Sequence, residues 1–359
     1  MNNFNIHPDF KLNGISYSKE ELKELAYSLV KEGAKFEMNL GDFLMDWLLP
    51  SQEIIVKTSG STGIPKKIPL LKEHMVNSAL ATGAYFNLRP RDTVLHCLPM
   101  AYIAGKMLLV RALILGLHID FIAPTSTPIT HGTKKYDFSA MVPLQLRNTL
   151  GFIDCIDTLI VGGAPFSQDL KELVQDKSCQ IYETYGMTET ITHIAARKIN
   201  HNAVKDLSTS SRPFKALPGL TLSTDKRNRL VIDAPRIAKQ KIVTNDVVGL
   251  ISASEFLWLG RFDNIINSGG VKLIPEQIES LLSTLIQERF FVTGLSNEKL
   301  GQKLVLIIEG KEVAADVLEK IEQSGLLERF QVPKEVISLP SFKESVNGKL
   351  LREETIRLL

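Results

Sequence analysis

The 359-residue chain is poor in cysteine, in net charge and in uninterrupted apolar sequence. Its three cysteines, Cys97, Cys155 and Cys179, lie far apart, form no Cys-x-x-Cys pair and leave one thiol over in any disulfide scheme. That excludes a disulfide scaffold and a cysteine zinc site, and points to a reducing compartment. With 42 basic against 40 acidic residues the formal charge is only +2, which provides no field for binding a nucleic-acid backbone. The most apolar run is interrupted by Arg111 and His118, and the N-terminus lacks a basic stretch followed by an apolar one. The expectation is a cytoplasmic protein with no membrane insertion and no nucleic-acid partner; nothing in the composition specifies an oligomeric state.

What remains is ordinary globular material, 44% hydrophobic and 23% charged, long enough for two domains. Ser18 and Glu21 form a capping box before Leu22, Leu25, Ala26 and Leu29 at helical spacing, with Gly33 placed to end the helix. An apolar strand at 53–56 runs into Thr58-Ser-Gly-Ser-Thr-Gly63-Ile-Pro-Lys-Lys67, and a helix is expected over 72–86. Strand 93–98, helix 102–115 and strand 118–123 follow, then strand 158–161, the turn Gly162-Gly-Ala-Pro165, helix 168–174 and strand 180–182. Such alternation predicts a helix-covered, mainly parallel sheet. Between 200 and 260 shorter strand-like pieces, 229–232 and 247–251 among them, predict a small strand-rich subdomain. From there the pattern is a compact αβ module with helix 275–287, strand 303–309, helix 313–323 and strand 335–339. The boundary is placed at 262, giving domains 1–262 and 263–359.

The stretch Thr58, Ser59, Gly60, Ser61, Thr62, Gly63 and Lys66 combines turn-forming glycines, hydroxyl donors and a cation, the chemistry needed to wrap a polyphosphate. It is not a nucleoside-triphosphatase P-loop, because Lys66 follows Gly63 by three residues and no Ser or Thr follows it. A plain flexible connector has the same composition. Downstream, Tyr182-Glu-Thr-Tyr-Gly-Met-Thr-Glu189 gathers aromatics, a glycine, hydroxyls and a carboxylate. Val243-Thr-Asn-Asp246 offers a carboxylate within a strand-like stretch, where a solvated strand-end Asp is the plain reading. Gly260-Arg-Phe-Asp-Asn-Ile-Ile-Asn-Ser-Gly-Gly270 and Asn347-Gly-Lys349-Leu-Leu-Arg352 complete the set.

In this order the segments resemble the signature motifs of the adenylate-forming superfamily, which contains acyl-CoA synthetases, luciferases and peptide-synthetase adenylation domains. The resemblance covers essentially the whole chain and implies an α/β fold: a large N-terminal domain with parallel, helix-covered sheets and a small strand-rich subdomain, then a small mobile C-terminal domain. It implies ATP, Mg2+ and coenzyme A as ligands. Loop 58–66 would hold phosphates; Gly162, Gly163, Ala164 and Pro165 would line the adenine side and the acyl pocket. Tyr185 would stack on adenine, Gly186 would let the backbone pass the nucleotide, Thr188 would contact phosphate and Glu189 would hold magnesium. Asp246 and Arg261 would take the ribose, although Asn245 stands where the family usually has glycine. Asp263 would be the hinge, Gly269 and Gly270 would pass close to the pantetheine of CoA, and Lys349 would bridge the attacking carboxylate and the α-phosphate. The chain is shorter than most members ahead of the phosphate loop, so a minimal form is expected, similar to short 2-succinylbenzoate:CoA ligases of menaquinone biosynthesis.

Helix 102–115 carries the substrate question. Arg111 sits among aliphatics, and a buried guanidinium must find an anion or snorkel. At 100° per residue Ala104, Met107 and Arg111 share a face, whereas Lys106 points about 140° away. Arg111 either pairs with a scaffold carboxylate or clamps a second carboxylate on the substrate, which would then be a small aromatic dicarboxylic acid. His96, Tyr102 and Lys106 are the neighbouring candidates. A stand-alone adenylating domain that loads a carrier protein and a non-catalytic nucleotide-binding homologue are the alternative readings.

Overall fold

The computed structural model describes residues 6–57, 67–132, 134–164, 166–201, 212–310, 316–344 and 350–359. The loop residues Thr58 to Lys66, Pro165 and Lys349 therefore lie outside the described residues. The chain divides into two compact units. One comprises 1–222, 232–242 and 253–255, the other 223–231, 243–252 and 256–359.

In the first unit eight strands run side by side in the order Lys11–Leu12, His118–Phe121, Thr93–His96, Tyr136–Met141, Ile156–Val161, Gln180–Gly186, His193–Lys198 and Phe214–Ala216. The first six are mutually parallel and the last two antiparallel to their neighbours. The core under this sheet is aliphatic: Leu146, Ile153, Ile156, Leu159, Val161 and Ile181 are all fully buried, as expected of parallel strands covered on both faces. Two strands that were not anticipated, Tyr136–Met141 and His193–Lys198, complete it.

Local signals explain most helices. Helix Lys19–Glu32 has the Ser18–Glu21 capping box and ends at Gly33. Gly33 is extended, with φ −73; it is needed because a Cβ there would lie 2.5 Å from the Leu29 carbonyl oxygen. An unanticipated helix, Lys35–Leu48, buries Leu40, Phe43, Leu44 and Trp47, and Gly41 lets it approach the first helix, since a Cβ would meet the Ala26 carbonyl oxygen at 2.6 Å. Helix Lys72–Phe86 has the expected span and closes on left-handed Asn87.

Strand Glu53–Lys57 departs from expectation. It belongs to a separate two-stranded antiparallel sheet with Lys67–Leu71, not to the parallel sheet. Lys57 pairs with Lys67 at one end of this two-stranded sheet and Glu53 with Leu71 at the other.

Strands Ile242–Ser252 and Glu255–Arg261, which fall in the second unit but for their first residues, are neighbours. The C-terminal module is a five-stranded sheet, Val271–Leu273, Ile266–Ser268, Gly301–Glu309 and Phe290–Asn297 in order, with Glu335–Leu339 parallel to Gly301–Glu309. Ile278, Leu282, Leu304, Leu306 and Ile321 close its core under helices Pro275–Leu282 and Val317–Ser324. The first of these helices stops five residues short of its expected end at 287, and strand Phe290–Asn297 is the next element.

Candidate active site

The first unit's site is assembled at the carboxyl ends of the parallel strands, where open α/β sheets bind ligands. Strand Ile156–Val161 ends in Gly162 and Gly163. The Gly162 N–H donates to the Met141 carbonyl at 3.2 Å, and a Cβ on Gly162 would lie 2.5 Å from Thr184 Oγ1. Gly163 has φ +87, a conformation that favours glycine. Together they turn the chain sharply above the sheet, with Ala164 half-buried beyond them.

The next strand does not stop at Tyr182, as the short apolar stretch implies, but runs Gln180–Gly186. Antiparallel pairing with His193–Lys198 extends it and places Tyr185 opposite Ala195. Half-buried Tyr185 stands 5.8 Å from the Phe214 ring, and the guanidinium of Arg197 lies 4.3 Å from the centre of that ring while ion-pairing with Glu183 at 2.7 Å. Glu183, Arg197 and Phe214 thus brace Tyr185; no motif singled them out.

The register breaks between Tyr185 and Gly186. A Cβ on Gly186 would fall 2.3 Å from the Thr192 carbonyl oxygen and 2.4 Å from His193 Cα, so this glycine is required by its own neighbouring strand. Thr188 to Thr190 form a short 3-10 turn. Glu189 is exposed, and Thr190 Oγ1 donates to the Met187 carbonyl at 2.9 Å. Ile191 then adopts φ 67, ψ −55, and the Thr192 N–H donates to the Thr190 carbonyl at 2.8 Å. This is a γ-turn of the strained, positive-φ kind, unusual for a β-branched residue. Strain of this sort persists where the surroundings over-determine it. Its result is to aim Thr192 and His193 into the unit's interior.

There they meet Arg111. Helix Ile103–Leu115 begins after half-buried Tyr102, and its Gly105 packs so close to the preceding chain that a Cβ would lie 2.5 Å from the Pro99 carbonyl oxygen. His96, fully buried, donates from Nε2 to the Gly105 carbonyl at 2.9 Å. Arg111 is 1% exposed. Its Nη2 donates to Thr192 Oγ1 at 3.4 Å and to His193 Nδ1 at 3.3 Å. Among the described residues no carboxylate pairs with it, and its Nε has no partner. Burial alone pulls the guanidinium down to about 9, and nothing anionic offsets it. The scaffold salt bridge considered from the sequence is absent among the described residues. Lys106 points elsewhere, its Nζ 4.9 Å from the Phe43 ring centre.

In the second unit Asp246 is 4% exposed within strand Ile242–Ser252. This overturns the picture of a solvated strand-end residue, because the strand begins well before it. Trp258 Nε1 donates to its Oδ1 at 3.1 Å, and Arg261 Nη1 approaches the same oxygen at 3.6 Å. Asn245 donates to Asp263, which lies in the short turn Phe262–Asn264. Gly269 and Gly270 both have positive φ, +59 and +85, as a tight hairpin between Ile266–Ser268 and Val271–Leu273 demands.

Residues 54–217 match the family model described as AMP-binding enzyme. A solved acyl-CoA synthetase (AMP-forming)/AMP-acid ligase II-like protein from Dyadobacter fermentans is 32% identical, with a TM-score of 0.62 over 94% of this chain and 98% of that one. The chain belongs to the AMP-binding enzyme family. A curated relative, the 2-succinylbenzoate–CoA ligase of Bacillus cytotoxicus, is 25% identical over 96% of this chain and 77% of its own length. The o-succinylbenzoate CoA synthetase of Bacillus subtilis, solved with its acyl-adenylate intermediate, has a TM-score of 0.72 at 20% identity, covering 94% of this chain and 80% of that one. That likeness shows the family's fold. No helix among the described residues is long and apolar enough to cross a membrane.

Proposed function

We propose that this chain activates a dicarboxylic acid by adenylation and transfers it to CoA, with 2-succinylbenzoate as the acid. The observation that carries the substrate class is Arg111. A fully buried guanidinium without a counter-ion costs several kcal/mol, and a second substrate carboxylate is the partner that would offset that cost. The names of the relatives, 2-succinylbenzoate–CoA ligases, support the same acid.

In the first half-reaction a substrate carboxylate oxygen bonds to the α-phosphorus of ATP as the bond to pyrophosphate breaks. In the second, the CoA thiolate attacks the acyl carbonyl and AMP leaves. Both reactants of the first step are anions, so the protein's task is to neutralise charge and fix the attack geometry. Loop 58–66 and Lys349 supply cations and donors; Tyr185, braced by Phe214, gives adenine a stacking face. Asp246, which accepts from Trp258 and pairs with Arg261, is the residue assigned to the ribose hydroxyls. Among the described residues no cluster of three His, Cys, Asp or Glu side chains exists for a metal, and magnesium suits one carboxylate completed by phosphate oxygens. Exposed Glu189 fits that requirement and would hold Mg2+, which supplies charge neutralisation at the phosphates. Domain 263–359 is the part assigned to move between half-reactions, about Asp263.

The test is pyrophosphate release with a panel of mono- and dicarboxylic acids, with and without CoA. The proposal expects 2-succinylbenzoate to lead the panel and CoA thioester to accumulate only when CoA is present. Turnover confined to monocarboxylates, or adenylate formed with no transfer to CoA, contradicts it.

A further inference from the structure

Arg111 Nη2 has two side-chain partners, Thr192 Oγ1 and His193 Nδ1, and of these the imidazole is the one whose proton can sit on either of two atoms. The ring is 6% exposed as a residue and stands between two partners. Its Nδ1 faces Arg111 Nη2 at 3.3 Å, and its Nε2 faces Thr82 Oγ1 at 3.4 Å. A guanidinium can only donate, so Nδ1 must accept. The proton of the neutral ring is then on Nε2, directed at Thr82 Oγ1. Thr82 in turn donates to the Ser78 carbonyl at 3.0 Å, which leaves its lone pairs facing the imidazole. From Arg111 Nη2 through His193 and Thr82 to the Ser78 carbonyl each step has one donor and one acceptor, and the order runs only one way. Burial and the adjacent guanidinium both hold the imidazole well below its ordinary range, so the neutral tautomer that this order requires is also the one favoured.

Two costly backbone features serve this placement. Strained Ile191 turns the chain inward just before Thr192 and His193, and Gly186 gives up its side chain to let the His193 backbone come close. A ring kept only for packing would need neither a fixed tautomer nor a donor chain ending on a helix carbonyl.

We infer that His193 is a positioning residue that fixes the rotamer of the Arg111 guanidinium, aiming its unshared N–H groups at the distal carboxylate of the substrate. This rests on the reading of Arg111 as the carboxylate clamp. His193 does not touch the substrate in this account; it holds one Nη2 edge so that the remaining donors keep one orientation. The specificity of the site for dicarboxylates then depends on a residue outside the family's signature motifs, placed by the γ-turn that follows Glu189.

The experiment compares His193→Leu and His193→Gln with the unaltered protein, measuring kcat and KM for 2-succinylbenzoate and for a monocarboxylate analogue. His193→Leu, which removes the acceptor, should raise KM for 2-succinylbenzoate about 10- to 100-fold, change kcat far less, and leave the monocarboxylate KM within about twofold. Gln offers a neutral amide that can accept from Arg111 and donate to Thr82, so His193→Gln should recover most of the loss. If His193→Leu does not fold, His193→Asn, too short to span both partners, takes its place with the same expectation. Equal losses on both acids, or no rescue by Gln in a folded variant, would overturn the positioning role. Arg111→Leu is run alongside. Loss of dicarboxylate preference in Arg111→Leu but not in His193→Leu overturns this inference alone, whereas unchanged preference in Arg111→Leu removes the clamp itself.

Discussion

Substituting Gly186 by alanine tests whether the bulge, rather than the nucleotide, explains this glycine. The added Cβ would lie 2.3 Å from the Thr192 carbonyl oxygen, 2.4 Å from His193 Cα and 2.8 Å from His193 N. All three are backbone atoms, so no side chain can rotate away. Restoring ordinary contact requires the 192–193 backbone to retreat by roughly 1 Å, and overpacking of this kind costs about 1–3 kcal/mol. For a unit of this size a loss near 2 kcal/mol lowers Tm by about 4–8 °C. The retreat also carries Thr192 Oγ1 and His193 Nδ1 away from Arg111, whose contacts at 3.4 and 3.3 Å have no slack before they cease to be hydrogen bonds. Thermal melting and KM for 2-succinylbenzoate should therefore change together, KM rising about tenfold, with the ATP KM nearly constant. A normal melting curve with a raised ATP KM would refute this reasoning and return Gly186 to the nucleotide-facing role that the family resemblance implies.

The buried imidazole of His96, held down to about 4 from 6.5, makes stability pH-dependent. Its folded value is depressed, so its contribution is intact above pH 6.5 and is lost as pH falls toward 4, amounting to about 2 kcal/mol by pH 5. Chemical denaturation at pH 7.5 and 5 should show His96→Gln losing less stability than the unaltered protein by about that amount; equal losses would place the pH dependence elsewhere. Lys349→Ala should lose adenylation by at least about a hundredfold while still converting preformed acyl-adenylate to thioester, because the proposed role confines its charge to the first transition state; equal loss in both half-reactions would remove its assigned role.

Helices with a local signature were readable in the sequence. Lys72–Phe86 needed only its apolar face and its stop, and the Ser18–Glu21 box fixed the first helix. Helix Lys35–Leu48 also carried the i, i+3, i+4, i+7 pattern at Leu40, Phe43, Leu44 and Trp47, but Gly41 in its middle obscured it, because a glycine demanded by helix-to-helix contact looks like a breaker in one dimension. Strand pairing was the harder part. Glu53–Lys57 was legible as a strand but not as half of a hairpin, since its partner lies beyond the glycine-rich loop. Gln180–Gly186 was cut short because its polar second half is strand only through pairing with His193–Lys198. In the site, Arg111 stood out as a cation among aliphatics. Its partners did not, because Thr192 and His193 reach it through a γ-turn at Ile191 that no residue preference announces. Arg197 and Glu183, which brace Phe214 behind Tyr185, alternate along paired strands and read as an ordinary exposed face until the ladder is known.

Arg111 is the residue on which the choice of a dicarboxylate substrate turns. The direct measurement is the ratio of kcat/KM for 2-succinylbenzoate to that for a monocarboxylate analogue, taken for the unaltered protein and for Arg111→Leu, with thermal melting as the check on folding. Leaving a desolvated carboxylate without its cation costs roughly 2–4 kcal/mol, so the ratio should fall by about 30- to 1000-fold while monocarboxylate turnover is largely kept. A folded Arg111→Leu variant with an unchanged ratio would contradict the dicarboxylate assignment and leave an acid–CoA ligase family member of some other specificity.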